Sequence, residues 1–420
     1  MKVAGSVTPP GDKSITHRAL ILAALARGES RVQRPLTSLD ARSTAGVLRA
    51  LGARIDPLRP GARVAVQGRG LGKFTRPRNS LDCGNSGTAA RLVLGLLAGH
   101  AFKARVTGDA SLRMRPMRRV TGPLAMMGAR FEEENGDGLP LVVRGGALQP
   151  LDYRSPTASG QVKGALLFAG LVGRVPVTIH EPVRSRDHTE RMLRALGARV
   201  ESEDRTVRFF PVQSIPTFDI AVPGDPSSAA FLVGAALLAE QGELELTDVL
   251  INPTRTGFLA VLARMGARID VTPGGEALGE PVGTLIARPA RLRAVEVTPG
   301  EVPALIDEIP LLAVLAARAE GESVFRGVEE LRVKESDRLQ LMADNLRAIG
   351  VEAHATSDTL RVVGTDAPPK GRVETAKDHR LAMAFSVLNT VPGAAIKLSE
   401  RASVAVSYPR FFDDLKRIRA

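Results

Sequence analysis

LRALGARID at residues 48–56 returns as LAMMGARFE at 124–132, LRALGARVE at 193–201, LARMGARID at 262–270 and, more loosely, LRAIGVEA at 346–353. Self-similarity at a regular interval signals duplication of one supersecondary unit. The shared glycines Gly52, Gly128, Gly197, Gly266 and Gly350 are 76, 69, 69 and 84 residues apart, so the 420-residue chain divides into six units of about 70 residues. In each phrase leucines fall at helical spacing, and the glycine follows at the C′ position, where a left-handed backbone is cheapest. The phrase reads as a helix end that runs into a strand. In ARFEEENGDGLPLVVRG, residues 129–145, Asn135-Gly136 and Asp137-Gly138 are hairpin signals between two strand-like runs. By extension, a β-hairpin is expected in every unit.

A second element recurs six times, each copy starting with small polar or charged residues and continuing into an Ala/Leu-rich run. The copies are GDKSITHRALILAAL from Gly11, GNSGTAARLVLGLLAG from Gly84, SGQVKGALLFAGL from Ser159, GDPSSAAFLVGAALLA from Gly224, DEIPLLAVLAA from Asp307 and DHRLAMAFSVL from Asp378. Runs apolar on all sides predict buried helices. Each unit is expected to hold two helices and about four short strands. PPGDKSITHRALILAAL and VPGDPSSAAFLVGAALL match each other best, which puts a half-chain boundary near Pro223. The fold class is therefore α/β, with two similar domains of three units each. Within each domain, three equivalent helix starts are expected to point the same way and form an anion funnel.

Composition narrows the function. A net charge of +12 and a pI near 10.4 favour anionic partners. The absence of Trp and the presence of only two Tyr argue against nucleic acid held by base stacking. Apolar runs such as Leu92 to Phe102 and Phe231 to Ala239 are shorter than the roughly 20 residues that cross a bilayer, so no membrane partner is expected. One cysteine, Cys83, excludes an intrachain disulfide and reads as a small buried residue. The start MKVAGSVTPPGDKS has no apolar signal region, and a cytoplasmic location is expected. Six scattered histidines and one cysteine offer no metal-ligand spacing, so no metal is expected.

Several helix starts carry chemistry. Lys13, Ser14 and, one turn on, Arg18 add donors to a helix N-terminus that already favours carboxylate or phosphate; the plainer reading is a helix capped by Asp12 or Ser14. Recurrence of the pattern with Lys and Arg inside it favours the anion. Asn85-Ser86-Gly87-Thr88 is either a turn that lets backbone approach a ligand or an ordinary strand-to-helix turn. RMRPMRR, residues 113–119, concentrates four arginines whose planar donors suit bidentate anion binding. RVKESDR, residues 332–338, packs Lys334, Glu335, Asp337 and Arg338 into one helix start, as a charge clamp with a proton carrier or as a salt-bridged surface face. Asp307-Glu308 and Asp378-His379-Arg380 are either candidate bases beside cations or caps. QGRGLGK at 67–73 is not a phosphate loop, because Phe74 stands where Ser or Thr is required.

In this order, from GDKSITHR to SYPRFFDDL, these residues resemble the 5-enolpyruvylshikimate-3-phosphate synthase family. The resemblance implies two domains, residues 1–11 with 224–420 and residues 12–223, joined by two crossovers. Each would hold three βαβαββ units around buried helices, an inside-out α/β barrel, with the active site in the interdomain cleft. It implies a cytoplasmic monomer without cofactor or metal, a target of glyphosate, acting in aromatic amino acid biosynthesis. Its substrates would be shikimate 3-phosphate and phosphoenolpyruvate.

By the same resemblance, Lys13, Ser14, Arg18, Ser159, Gln161, Arg186, Asp307 and Lys334 bind shikimate 3-phosphate. Lys13, Gly87, Arg115, Gln161, Arg338 and Arg380 bind phosphoenolpyruvate, and Asp307, Glu335 and Lys13 are catalytic. The substrate 5-hydroxyl would attack C2 of phosphoenolpyruvate while C3 is protonated, and loss of phosphate would leave an enolpyruvyl ether. Asp307 would take the hydroxyl proton, and Glu335 or Lys13 would supply C3. The chain departs from the family at Val406, where many members have Lys, at Gly160, where Ser or Ala is usual, and at Glu330, where some have Asn. The R-x-H-x-E stretch at 186–190 and NPTR at 252–255 look like a glyphosate-tolerant branch; Gly87 does not. Two alternatives stand beside this reading. The sister enzyme acting on UDP-N-acetylglucosamine normally has Lys-Asn at Lys13-Ser14 and a loop cysteine, and Cys83 lies in a different motif. A basic nucleic-acid-binding protein would explain the charge without catalysis.

Overall fold

The computed structural model describes residues 1–419. The chain divides into two compact units. The terminal unit holds Met1–Pro10, Gly224–Gly275 and the chain from Pro281 onward; the inserted unit holds Gly11–Pro223 and Glu276–Glu280.

The Ala/Leu-rich runs form the buried helices. Lys13–Leu25, Gly87–Ala98 and Gly160–Gly173 lie in the inserted unit, and Pro226–Leu237, Ile309–Ala316 and His379–Leu388 in the terminal unit. Every residue of Pro226–Leu237 and Ile309–Ala316 is buried, as a helix apolar on all sides requires. Small residues let the helices approach: a Cβ on Gly95 would stand 2.1 Å from the Ala165 carbonyl oxygen, so Gly87–Ala98 and Gly160–Gly173 meet backbone to backbone.

Side-chain caps start five of these helices. Asp12 accepts from Ile15 N (2.7 Å), Ser86 from Ala89 N (3.1 Å), Ser159 from Val162 N (3.4 Å), Asp225 from Ser227 N (2.7 Å) and Asp378 from Arg380 N (2.9 Å). DEIPLLAVLAA differs from the expected start at Asp307. Asp307 and Glu308 lie in a 3-10 turn, Ile306–Glu308, and the α-helix begins at Ile309 without a side-chain cap. Pro310, which lacks an N–H and has a preset φ, suits that first turn.

The repeated phrases end the amphipathic helices Leu39–Ala50, Arg118–Met126, His188–Ala195, Gly257–Arg264 and Arg338–Ala348. Their glycines are all left-handed, with φ of 100° at Gly52, 108° at Gly128, 84° at Gly197, 89° at Gly266 and 88° at Gly350.

Among the described residues, five four-stranded sheets share one order. In one, Leu81–Asp82 runs parallel to Lys103–Thr107, which is antiparallel to Leu141–Arg144, itself antiparallel to Arg130–Glu133. In two sheets the first strand comes from far along the chain. Asp219–Ala221 pairs parallel with Arg27–Gln33, and Gly5–Val7 with Leu244–Leu250. Backbone bonds secure these strands beside the helix starts. In the inserted unit Asp12 N donates to Pro223 O (2.7 Å), and in the terminal unit Asp225 N donates to Pro10 O (2.8 Å).

One hairpin expectation needs correction, and one hairpin is closed differently from its Asn-Gly and Asp-Gly signals. Among the described residues the sixth sheet has two strands only, Lys370–Val373 parallel to Ala395–Leu398, and no hairpin. The chain instead continues into a 3-10 turn, Ala402–Val406, and the helix Phe411–Arg417, whose Phe411 ring meets Phe231 edge-on at 6.2 Å. The hairpin at 130–144 is not closed by a tight Asn-Gly or Asp-Gly turn. Its last pair is Glu133 with Leu141, and the intervening loop lets Asp137 accept from Met117 N (2.8 Å) and Arg118 N (2.6 Å), donors a helix start leaves unpaired.

Candidate active site

In the inserted unit, side chains stitch the starts of the three buried helices together. Lys13, in the first turn of Lys13–Leu25, forms an ion pair with Asp40, which is 2% exposed at the start of Leu39–Ala50. Ser14 is half-buried beside it. Arg18 is 2% exposed and donates to Ser14 O (3.1 Å), Thr189 Oγ1 (2.7 Å) and Gly160 O (3.2 Å). Burial lowers its pKa to about 10, which still leaves a cation at neutral pH. Arg18 thus ties the GDKS helix to the start of Gly160–Gly173.

Gln161 makes the second link. Its Nε2 donates to Thr88 Oγ1 (2.9 Å) and its Oε1 accepts from Arg91, which also donates to Pro116 O (3.2 Å). Arg115 donates to Asn85 Oδ1 (2.8 Å). A Cβ on Gly87 would lie 3.3 Å from Arg115 Nη1 and 3.7 Å from Arg91 Nη1, so two guanidinium groups flank the bare face of Gly87. The other arginines of RMRPMRR differ: Arg113 donates to Gly108 O (2.8 Å), and Arg118 pairs with Glu133 on the surface (2.7 Å). Ser159 caps its helix, and a Cβ on Gly160 would meet the Cβ and carbonyl oxygen of Arg186 at 3.0 Å. Glycine at 160 is what lets the Arg186 segment lie so close.

The terminal unit repeats the stitching with acids. Arg338 is 1% exposed and central: its Nε donates to Asp378 Oδ2 (2.7 Å), its Nη2 to Glu335 Oε2 (2.5 Å) and Asp378 Oδ1 (3.2 Å), and its Nη1 lies 3.6 Å from Asp307 Oδ1. Arg380 donates to Asp307 O (3.1 Å), with Nη2 3.7 Å from Asp307 Oδ2. Asp307 therefore sits between two guanidinium groups. Burial opposes charge on Asp378, but Arg338 outweighs it and holds that carboxyl below its ordinary value. The salt-bridged surface alternative for RVKESDR is excluded by the burial of Arg338. Helix Arg338–Ala348 starts after Lys334 and Glu335, capped by Asp337, which accepts from Gln340 N (2.9 Å). Lys334 is half-buried where the 3-10 turn Glu329–Val333 ends. Val406 is half-buried and brings no charge.

Other residues at these sites escaped the sequence reading. Asp40 and Arg91 are two, and Arg91 had one local signal, its place one helical turn after Gly87. Ser227 donates to Glu308, and Arg255 donates to Ser227 Oγ (2.9 Å) and lies 3.6 Å from Asp225 Oδ1. This buried chain links the Pro226–Leu237 helix to the turn that carries Asp307. His379 is 2% exposed, and burial depresses its pKa to about 4, so it is neutral at pH 7. Among the described residues no group of three or more His, Cys, Asp and Glu is placed to hold a metal ion. Among them, too, no helix is long and apolar enough to cross a membrane.

Each unit therefore joins three helix starts at one end. In the inserted unit this end is rich in Lys and Arg; in the terminal unit, carboxylates alternate with arginines. Helix N-termini and fixed guanidinium groups stabilise multiply charged anions and the charge that develops when one leaves.

Comparison with known proteins agrees with this chemistry. A model of the EPSP synthase family, 3-phosphoshikimate 1-carboxyvinyltransferase, matches residues 1–415. A 3-phosphoshikimate 1-carboxyvinyltransferase from Thermus thermophilus is 49% identical over 418 residues, 99% of this chain and 96% of that protein. One from Gluconobacter oxydans is 45% identical over 425 residues, 100% of this chain and 96% of that protein. The solved EPSP synthase from Acinetobacter baumannii superposes with a TM-score of 0.88 at 37% identity, covering 99% of this chain and 96% of that one. The enolpyruvyl transferase NikO from Streptomyces tendae shares the fold, with a TM-score of 0.76 at 20% identity over 99% of this chain and 95% of that one. The chain belongs to the EPSP synthase family.

Proposed function

We propose that this chain transfers the carboxyvinyl group of phosphoenolpyruvate to the 5-hydroxyl of shikimate 3-phosphate and releases phosphate. The observation that carries the residue assignments is the pair of stitched helix-start clusters, one cationic around Lys13, Arg91 and Arg115, the other placing Asp307 between Arg338 and Arg380.

The steps follow from the groups. Ser14, Arg18, Ser159, Gln161 and Arg186, with Lys334, hold shikimate 3-phosphate; Arg18 is itself fixed by three bonds, to Thr189 Oγ1, Ser14 O and Gly160 O. Lys13, Gly87, Arg115, Gln161, Arg338 and Arg380 hold phosphoenolpyruvate, and Arg91 orients Gln161. Asp307 takes the proton of the 5-hydroxyl as its oxygen bonds to C2, while Glu335 or Lys13 protonates C3. The tetrahedral adduct then loses a proton from C3 and breaks its C2–O bond to phosphate, leaving the enolpyruvyl ether. Arginines already positioned around the leaving phosphate need no reorganisation at that step, commonly the largest catalytic contribution.

We further take the enzyme to act as a cytoplasmic monomer. In keeping with a reduced compartment, its one cysteine is buried and the Cys83 thiol is pushed up to about 12 by that burial. The UDP-N-acetylglucosamine alternative is not favoured, since both the family match and the named relatives point to 3-phosphoshikimate. The test is phosphate release from phosphoenolpyruvate: it should require shikimate 3-phosphate, and equal release with UDP-N-acetylglucosamine would overturn the assignment.

A further inference from the structure

The helix Gly160–Gly173 carries, just past Ser159 and Gln161, a lysine that the reaction above does not use. Lys163 is 2% exposed. Its Nζ lies 2.7 Å from Glu181 Oε2 and 2.8 Å from Glu190 Oε1, and those side chains are 3% and 1% exposed. Glu181 also accepts from Ser185, through the hydroxyl and through the backbone N (3.4 Å), and Lys163 reaches the Ser185 carbonyl at 3.4 Å. Residues 181–185 thus close on Glu181, and Lys163 fastens that closed turn to the helix. The next residue is Arg186, packed over Gly160. At the far end of the segment, Thr189 accepts from Arg18 (2.7 Å).

Lys163 lies against both Glu181 and Glu190, and Arg18 adds a second buried cation that interacts with Glu190 and with the buried Glu280. Burial alone would lower the Lys163 pKa, but the two glutamates outweigh it and raise the value, keeping the ammonium charged. A buried ionic set adds little stability over apolar residues of similar volume. What it supplies is direction, because charge-assisted bonds at fixed angles hold one segment in one register against another.

Resting on the assignment of Ser159, Gln161 and Arg186 as shikimate 3-phosphate ligands, we propose that Lys163 is a positioning residue: with Glu181 and Glu190 it locks the Arg186 segment against the helix bearing Ser159 and Gln161, and so sets the spacing at which the substrate phosphate is gripped.

The test is Lys163→Met in the full chain, alone and combined with Arg186→Ala, with KM measured separately for the two substrates. Lys163→Met should raise KM for shikimate 3-phosphate roughly tenfold while KM for phosphoenolpyruvate and kcat change less than about threefold. In the Arg186→Ala background the same change should add less than about twofold, because the residue being positioned is gone. Equal loss for both substrates, or full additivity with Arg186→Ala, would overturn the role. Should Lys163→Met fail to fold, Ser185→Ala, which removes only the hydroxyl bond to Glu181, should give the same split on a smaller scale, and no split there refutes the idea. An unmodified chain that releases no phosphate with shikimate 3-phosphate would instead refute the proposed function. The lysine is then tested with inorganic phosphate, whose thermal protection should be weaker in Lys163→Met; equal protection of both chains overturns the role.

Discussion

Replacing Arg338 with Met should unseat the terminal unit's site and lower its stability together. The guanidinium touches three carboxylates, and Asp378 beneath it is fully buried. After the substitution Asp378 keeps two neutral donors, Ser336 Oγ at 3.0 Å and Arg380 N at 2.9 Å, but loses its buried counter-charge. Breaking a buried ion pair on one side costs about 3–5 kcal/mol. For a unit of this size, 1 kcal/mol is worth about 2–4 °C, so the melting transition should fall by about 10 °C. Adding Asp378→Asn removes the stranded charge and should recover part of that loss. Scanning calorimetry of the single and double variants, with phosphate release measured alongside, reads both effects. A melting temperature within about 3 °C of the unmodified chain, or a double variant less stable than Arg338→Met, would refute the argument that the buried ion pairs hold this site.

Three other expectations follow from the geometry. Lys13→Met should cut phosphate release by about 10²–10³-fold, the usual cost of losing one preorganised charge stabiliser, with circular dichroism unchanged; near-normal turnover would remove Lys13 from the reacting centre. Gly87→Ala places a methyl group 3.3 Å from Arg115 Nη1 and should raise KM for phosphoenolpyruvate roughly tenfold with a smaller effect on shikimate 3-phosphate, so an unchanged KM would place the ligand elsewhere. His17 is buried against Thr44 (2.6 Å), and burial lowers its pKa to about 3 from 6.5. Below pH 6.5 the unfolded chain binds this proton and the folded chain does not, so stability should fall towards pH 3 by up to about 1.4 kcal/mol per pH unit. His17→Asn should flatten that acid limb in urea titrations; an unchanged slope would show that His17 does not set it.

The repeat was legible because its signals are local. A left-handed glycine after an amphipathic helix, and an Ala/Leu run behind a small polar start, declare themselves within a dozen residues. The missing sixth hairpin has its counterpart in the absent sixth copy of the LRALGAR phrase. Asp307 and Glu308 resembled a helix start because the sequence does not separate a 3-10 turn from the α-helix it enters. Pairings were less accessible. Arg18, Arg118 and Arg338 all read as arginines near helix starts, but two are buried among fixed partners and one is solvated. Asp40 beside Lys13, Arg91 beside Gln161 and Glu308 beside Ser227 are neighbours only after the helices pack. Burial is a tertiary property, and it decides whether a charge binds ligand, holds a ligand-binding neighbour or faces water.

The most direct measurement of the central claim is proton NMR of the product formed in D₂O from phosphoenolpyruvate and shikimate 3-phosphate. Addition and elimination through a methyl-bearing adduct predict new vinyl signals of the enolpyruvyl ether, depleted by deuterium that entered at C3. Phosphate release without the ether, or an ether whose vinylic carbon carries no deuterium, would contradict the account.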